Sequence, residues 1–327
     1  MSELALAAFA AESGTHIVHP PAADGRWRVF VRRFDGDAFL AALLERGLRW
    51  IGRSEPGFPP LLAAIHDPPP GLFLRGAGPS ELLTRTAVAV VGARSCSPYG
   101  SQVARACARE LAAAGLVVIS GLARGIDGEA HRGALEAGGI TIAVLGCGAD
   151  RDYPASHREL AGRICERGLV VSEYAPGVEP APWRFPARNR IVSGLARAAV
   201  VVEARERSGA LITADFALEQ GREVFAVPGE ITSALSAGTN ALLGLGASPY
   251  TSPQDVLDAL GIEALEPAAP ELGADAERVL ARLREFAAGA DELQRSTGLG
   301  AASLAAALTE LELAGVAVQD GGVFRAS

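Results

Sequence analysis

Between Ala87 and His131 the chain alternates short apolar runs with a longer stretch of helical spacing. Ala87–Val91 is a Val-rich run, Ser101–Ala114 repeats apolar residues at helical intervals, and Leu116–Ser120 is apolar again. The pattern predicts strand, helix, strand, the crossover that two parallel strands require. Each predicted strand ends in a glycine turn, Gly92-Ala93-Arg94 and then Gly121-Leu122-Ala123-Arg124-Gly125, and a helix follows each turn. Further strands are predicted at Ile140–Leu145, Leu169–Ser172, Ala198–Glu203 and Glu223–Val227. Helices at Ser156–Arg167, Arg188–Leu195 and Ala210–Gln220 come between them. This alternation predicts an α/β fold with a doubly wound, Rossmann-like parallel sheet over residues 84–262.

The flanks read differently. Residues 1–83 predict a small N-terminal helical module, with helices at Asp37–Arg46 and near Pro59–Ile65 closed by Pro68-Pro69-Pro70. Residues 263–273, with Pro267 and Pro270 among acids and alanines, read as a linker. Residues 274–327 predict three helices, Ala276–Ala287, Ala290–Ser296 and Ala301–Ala314, then a hairpin of Val316–Gln319 and Val323–Arg325 around Asp320-Gly321-Gly322. Asp-Gly is a strong hairpin signal, and the order fits a C-terminal winged-helix domain. Its third helix carries Glu310 and Glu312 and no arginine, which favours protein contact over phosphate contact there.

The net charge of −8 argues against a polyanionic partner until its distribution is read. Residues 1–85 hold nine arginines and nine acids, and residues 86–250 hold sixteen of each. The whole deficit lies beyond residue 250, so the sheet domain is neutral and a local basic site on it is permitted. Every basic residue is arginine. Cysteines at 96, 107, 147 and 165 show no CxxC spacing, which fits a reducing cytosol without disulfides or zinc. No apolar run reaches the length of a membrane span, and Ser2–Ala11 lacks the basic flank of a signal peptide, so the expectation is a cytoplasmic protein with no membrane partner.

In an open parallel sheet, ligands bind where strand ends meet helix N-termini, and those termini favour anions. Arg94 and Arg124 add a guanidinium to each turn, so the edge looks built for a phosphorylated ligand; the bland alternative is that Gly92 and Gly121 only permit positive φ. The first turn is not a dinucleotide fingerprint, because Gly92-Ala93-Arg94-Ser95-Cys96-Ser97 lacks the second and third glycines. The densest basic stretch, Trp183 to Arg197, holds Arg184, Arg188, Arg190 and Arg197 without an acid, and Trp183 and Phe185 interleave with them as in single-strand binders. Tyr153 stands where its ring either stacks a base or packs against the loop. Asp127 and His131, one helical turn apart, lack a third metal ligand; Asp127 is read as a helix cap and His131 as its partner or as packing beneath the turn. Ser208 is read as an N-cap before a phosphate donor, since no base or GxSxG accompanies it. Glu203 is read as an ion-pair partner of Arg205 and Arg207. No catalytic residue, metal site or cofactor is expected.

The runs VVGARSCSPYG, SGLARGIDGEAH, TIAVLGCGADRDYP, VSEY, FPARNRIVSGLA, VVEARERSGALITADFALEQGREVFAVPG and GTNALLGLGA, in this order, resemble the bacterial DNA-processing protein A (DprA/Smf) family. The resemblance spans Phe58 to Ala247. It implies a single-stranded DNA-binding protein without a chemical step, which protects incoming DNA and loads the RecA recombinase in natural transformation, and which forms a homodimer. The DNA contacts it implies are Gly92, Arg94 and Ser95; Ser120, Gly121, Arg124 and Gly125; Tyr153; Arg188, Asn189 and Arg190; and Ser208 and Gly209. The alternative is a nucleotide-processing enzyme like the lonely-guy phosphoribohydrolases on a related sheet. Those carry PGGxGTxxE, whereas ERSGALITADFALEQ lacks the paired glycines.

On this reading, deleting Asp275–Ser327 removes net negative charge and no basic recognition helix. Oligonucleotide affinity of the truncated chain is expected to equal or slightly exceed that of the full chain in a fluorescence-anisotropy titration. A large loss with the sheet domain still folded contradicts the protein-contact reading of the last domain.

Overall fold

The computed structural model describes residues 2–15, 17–21, 24–262, 272–320 and 322–326. The chain divides into two compact units, Met1–Ala264 and Leu265–Ser327. In the first, the strands are β1 (Leu48–Gly52), β2 (Gly71–Arg75), β3 (Ala87–Val91), β4 (Val117–Ser120), β5 (Thr141–Val144), β6 (Leu169–Ser172), β7 (Ala198–Val201), β8 (Glu223–Ala226) and β9 (Ser248–Pro249). Its helices are α1 (Ser2–Ser13), α2 (Gly25–Arg33), α3 (Gly36–Glu45), α4 (Pro60–Ala63), α5 (Pro98–Ala113), α6 (Ile126–Glu136), α7 (Arg158–Arg167), α8 (Arg184–Gly194), α9 (Gly209–Glu219), α10 (Ala237–Gly244) and α11 (Pro253–Ala259).

The sheet runs β1, β2, β6, β5, β4, β3, β7, β8, β9. From β6 to β9 every neighbouring pair is parallel, while β1 with β2 and β2 with β6 are antiparallel. The sheet is therefore mixed but mostly parallel. Connections from β3 proceed outward through β4 to β6 on one side and then return to β7 on the other, which makes the junction of β3 and β7 the topological switch point.

Alternate residues of each inner strand enter separate cores. Ala87, Ala89 and Val91 pack with Ile191, Val192 and Ala214 on the face covered by α8 and α9. Val88 and Val90 pack with Ala104, Leu111 and Ala130 on the face covered by α5 and α6. The period of two divides the apolar run between the faces. The helices α5 and α6 approach closely because Gly133 has no side chain; a Cβ there would lie 2.0 Å from the Arg105 carbonyl oxygen.

Residues 1–83 are helical as expected and also supply β1 and β2, which extend the main sheet. The sequence hides these strands because β1 contains Arg49 and Trp50 and begins and ends beside glycine, and β2 starts at Gly71 directly after three prolines. Helix α8 begins at Arg184, four residues before the expected start at Arg188. Pro186 thus lies in its first turn, where a missing N–H breaks no helical bond.

His131 does not pair with Asp127. Its Nδ1 meets Thr141 Oγ1 at 2.7 Å, and that hydroxyl donates to Val118 O at 2.8 Å. With the threonine proton committed to the carbonyl, Nδ1–H is the donor to the hydroxyl, and His131 joins α6 to β5 as a neutral ring.

The second unit contains α12 (Ala274–Glu285), β10 (Ala288–Gly289), α13 (Ala290–Thr297), α14 (Ala301–Leu313), β11 (Ala317–Asp320) and β12 (Val323–Ala326). Its strands form a sheet in the order β10, β12, β11, packed on a core that includes Val279, Leu283, Leu308 and Phe324. This is the winged-helix arrangement. Most of the expected linker, residues 263–271, lies outside the described residues, as does Gly321 of the hairpin turn. Among the described residues no helix is long and apolar enough to cross a membrane, and Cys96, Cys107, Cys147 and Cys165 are free thiols.

Complete burial, reinforced by the nearby guanidiniums of Arg188 and Arg132, drops the His131 pKa from 6.5 to about 3. The unfolded chain therefore binds a proton below pH 6.5 that the folded chain refuses, and stability falls as the pH falls from 6.5 towards 3. His131→Gln, which keeps a donor for Thr141 but does not titrate, is expected to flatten the fall in unfolding free energy measured by urea denaturation across that window. Identical slopes in variant and parent contradict this assignment.

Candidate functional site

The two glycine turns interlock. Ala93 N–H donates to Glu203 O at 2.8 Å, and Ile126 N–H donates to Ala93 O at 3.2 Å, so the end of β3 is bonded to the strand end after β7 and to the start of α6. Neither Gly92 nor Gly121 adopts a positive φ, which overturns the reading that they serve only as flexible corners; in the second turn those conformations belong to Leu122 and Gly125. Glycine is needed at 92 and 121 for space. A Cβ on Gly92 would come 2.9 Å from Glu203 O, and one on Gly121 would fall 1.9 Å from Arg188 Nη1. Gly125 satisfies both demands, with φ 76° and Ala93 O only 2.3 Å from where a Cβ would stand.

The space vacated at Gly121 receives the guanidinium of Arg188. This side chain is buried, donates from Nη1 to Val144 O at 2.6 Å, and lies beside Asp127. Its Nε is buried without a hydrogen-bond partner among the described residues. Asp127 does not cap α6, whose N-cap is Gly125; instead its Oδ2 accepts the N–H groups of Gly121 at 3.1 Å and Ala123 at 3.3 Å. Burial pushes the Asp127 carboxyl up from its ordinary value while Arg188 opposes the shift. The Gly121 amide, read from sequence as a phosphate donor, is thus already occupied by Asp127.

Around this pair the ends of β3, β4 and β7 and the start of α8 enclose a cavity of about 420 Å³. Four arginines line it, Arg94, Arg188, Arg205 and Arg207, together with Gly92, Ser95, Gly121, Asn189, Ser208 and Gly209. Asp127 is the one carboxylate in that wall. Ser208 is the N-cap of α9, its Oγ accepting from Ala210 N at 3.2 Å, as the sequence reading held. Asn189 Nδ2 donates to Gly209 O at 3.0 Å and ties α8 to the start of α9.

A smaller cavity, about 60 Å³, adjoins the first and shares Arg94, Gly121, Phe185 and Arg188 with it. Arg124 and Tyr153 lie here. The Tyr153 and Phe185 rings stack with centroids 5.3 Å apart and planes at 25°, and the Arg94 guanidinium sits 5.1 Å from the Phe185 centroid. Tyr153 keeps 41% of its surface exposed.

Three of the residues singled out from sequence stand outside both cavities. Ser120 is fully buried and donates from Oγ to Val90 O at 2.7 Å, which binds β4 to β3. Gly125 supports the turn from beneath. Arg190 points away: it forms a buried bidentate pair with Glu173, at 2.8 and 2.7 Å, and donates from Nε to Asp67 O at 2.9 Å. Residues two apart on a helix face nearly opposite ways, so Arg188 and Arg190 cannot both reach one cavity.

Sequence reasoning missed Arg205 and Arg207 as site residues because it paired them with Glu203. That carboxylate turns instead to the N-terminus of α5, where it accepts from Ser97 N at 2.9 Å and from Ser97 Oγ, a favourable place for negative charge. The available signal was topological, since residues 204–208 form the turn after β7 at the switch point. Gly238, Thr239 and Asn240, at the start of α10, have a supporting role: Gly238 N–H donates to Ala204 O at 2.8 Å, and the Asn240 amide exchanges two bonds with the Gly229 backbone. Among the described residues no group of three or more His, Cys, Asp or Glu is placed to hold a metal ion.

Comparison with known proteins gives a consistent result. Residues 49–261 match the family model for DNA recombination-mediator protein A, and residues 263–322 match the model for the DprA winged helix domain. The chain is 42% identical over 309 residues to a putative DNA processing protein DprA of Mycobacterium tuberculosis, covering 88% of this chain and 79% of that one. The structure of DNA processing protein A from Streptococcus pneumoniae superposes with a TM-score of 0.66 at 39% identity, over 78% of this chain and 92% of that one. DNA processing protein A from Helicobacter pylori, a single-stranded DNA binder, superposes with a TM-score of 0.59 at 30% identity, over 66% of this chain and 97% of that one.

Proposed function

The chain belongs to the DNA recombination-mediator protein A family, and from that premise we infer that the switch-point cavity binds the backbone of single-stranded DNA. The observation that carries the reading is the convergence of Arg94, Arg188, Arg205 and Arg207 on one cavity whose single carboxylate is already bonded to two amides. Four guanidiniums around one engaged acid leave a surplus of donors suited to phosphate oxygens. The Tyr153 and Phe185 stack beside them offers an aromatic face to a base. The relative from Helicobacter pylori binds single-stranded DNA, which supports the same ligand here. Of the contacts named from sequence, this reading keeps Gly92, Arg94, Ser95, Arg124, Tyr153, Arg188, Asn189, Ser208 and Gly209, and adds Arg205 and Arg207. Ser120, Gly121, Gly125 and Arg190 hold the scaffold.

Family membership carries the rest of the proposal. In the cytoplasm the chain protects incoming single strands, loads RecA onto them during natural transformation and works as a homodimer. The winged-helix unit makes protein contacts, since α14 presents Glu310 and Glu312 and no arginine. No chemical step is assigned: a nucleotide hydrolase needs a free acid or base at the reacting atoms, and both Asp127 and Glu203 are committed to backbone N–H groups.

Arg94→Ala is expected to weaken single-strand binding without unfolding the sheet. The plot of log affinity against log salt becomes shallower by about 0.7 when one phosphate contact is lost. Unchanged slope and affinity in a folded variant contradict the assignment.

Incubation of micromolar protein with nucleoside monophosphates, with or without magnesium, is expected to release neither base nor phosphate by chromatography over hours. Turnover in the parent that disappears in Asp127→Asn replaces the binding reading with an enzymatic one.

A further inference from the structure

We propose that His157 is a positioning residue for the arginine cavity, gripping from behind the one peptide plane on which the Gly121 turn and its charge pair depend. The proposal rests on the DNA-binding reading of the cavity above and extends it to a residue that lines neither cavity.

Among the described residues Leu122 is the one residue other than glycine with a positive φ, at 58°. Left-handed backbone is disfavoured for an L residue with a side chain, so its surroundings must hold it there. The core holds the side chain: Leu122 is fully buried in a cluster with Ala143 of β5 and Leu160 and Ile164 of α7. His157 holds the carbonyl. This buried residue ends a single 3-10 turn, Ala155–His157, that leads into α7, and its Nδ1 lies 3.0 Å from Leu122 O. Because a carbonyl only accepts, Nδ1 carries the proton. Seating the ring also requires Gly128 in the first turn of α6, where a Cβ would lie 2.7 Å from His157 Cε1.

The effect of this bond reaches past its own atoms. In a trans peptide the C=O and the following N–H project from opposite edges of one rigid plane. Leu122 O faces His157, and the N–H at the other edge is that of Ala123, which donates to Asp127 Oδ2 at 3.3 Å. Gly121 N–H, on the other side of the reversal at Leu122, donates to the same oxygen at 3.1 Å. Two amides converging across a left-handed residue form a concave anion seat, filled here by a side chain of the protein itself.

Asp127, so fixed, stands beside the Arg188 guanidinium in the wall of the large cavity. Arg124, the residue after Ala123, belongs to the wall of the small one. On its other side His157 N–H donates to Pro154 O at 2.8 Å, next to Tyr153 in that same wall. Without a donor at position 157 the Leu122 carbonyl loses its partner and the plane is free to rotate. Ala123 N–H, Asp127 and Arg124 then lose their setting together.

The test uses the full-length protein and an oligothymidine of about twenty nucleotides. Asparagine places an amide N–H where Nδ1 stands and glutamine places one nearer Nε2, so the pair separates this bond from side-chain polarity. His157→Asn is expected to keep its affinity within about twofold of the parent. His157→Gln is expected to bind roughly tenfold more weakly, with a plot of log affinity against log salt shallower by about 0.7 as Arg124 leaves its phosphate. In the free protein, hydrogen exchange followed by mass spectrometry over Val118 to Gly125 is expected to accelerate in His157→Gln and not in His157→Asn. Each variant is compared where circular dichroism shows it folded; if His157→Gln is too unstable, His157→Phe carries the same expectation. Equal behaviour of the asparagine and glutamine variants, whether both match the parent or both fall, overturns the positioning role. The two readings fail separately. If Arg94→Ala weakens binding and His157→Gln changes neither affinity nor exchange, His157 alone is misassigned; if Arg94→Ala leaves affinity unchanged, the cavity reading is wrong, and the exchange measurement still decides what His157 holds.

Discussion

The Arg188 guanidinium lies under the Gly121 turn, bonded to Val144 O and beside the Asp127 carboxylate, and the surrounding turns are arranged to hold that buried charge against its partners. An isolated buried charge costs several kcal/mol, and only partners with good geometry offset it. Gly121 must lack a side chain to admit the guanidinium, and Asp127 must sit on the first turn of α6 to face it. That placement in turn lets Asp127 collect the two amides of the Gly121 turn. The second turn, the helix after it and the start of α8 are thereby set by one side chain.

Topology concentrates the remaining charge around that point. At the switch point the βα turns after β3 and β7 open in opposite directions, leaving a crevice with helix starts on either side. The turn after β3 contributes Arg94, and the turn after β7 contributes Arg205 and Arg207. Arg94 is more than a hundred residues from the other two in the sequence, and the three belong to one wall only because β3 and β7 are neighbours. A sheet domain with equal numbers of arginines and acids can therefore present a strongly cationic cavity, while its acids pair elsewhere, as Glu136 does with Arg105 at the surface and Glu173 with Arg190 in the interior.

The inner sheet was legible because its strands are buried on both faces and read as continuous apolar runs such as AVAVV and AAVV. The outer strands were not, since β1 mixes Arg49 and Trp50 with Leu48 and Ile51 and has no such run. Within the site, residue type and turn position sufficed for Arg94 and Ser208. They failed for Arg190 and Glu203, where the partner lies far along the chain: Asp67 and Glu173 for the first, Ser97 for the second. Long-range pairing of this kind leaves no local trace. Arg188 and Arg190 were separable in principle, because both fall in the predicted helix and two positions apart on a helix means opposite faces.

Helix α8 is fastened on both sides, by Arg188 to β5 and by Arg190 to Glu173 beyond β6 and to Asp67. Fixing an arginine side chain forfeits on the order of 2 kcal/mol of rotamer entropy. For Arg188 that loss falls on folding, so a ligand meeting its buried guanidinium does not incur it again. Among the described residues Arg205 and Arg207 carry no such fastening, and in the proposed binding role ordering them is left to the moment of association. In the proposed binding role the cavity thus joins a wall ordered when the chain folds to one ordered on association, and its affinity carries an entropic cost from one side only.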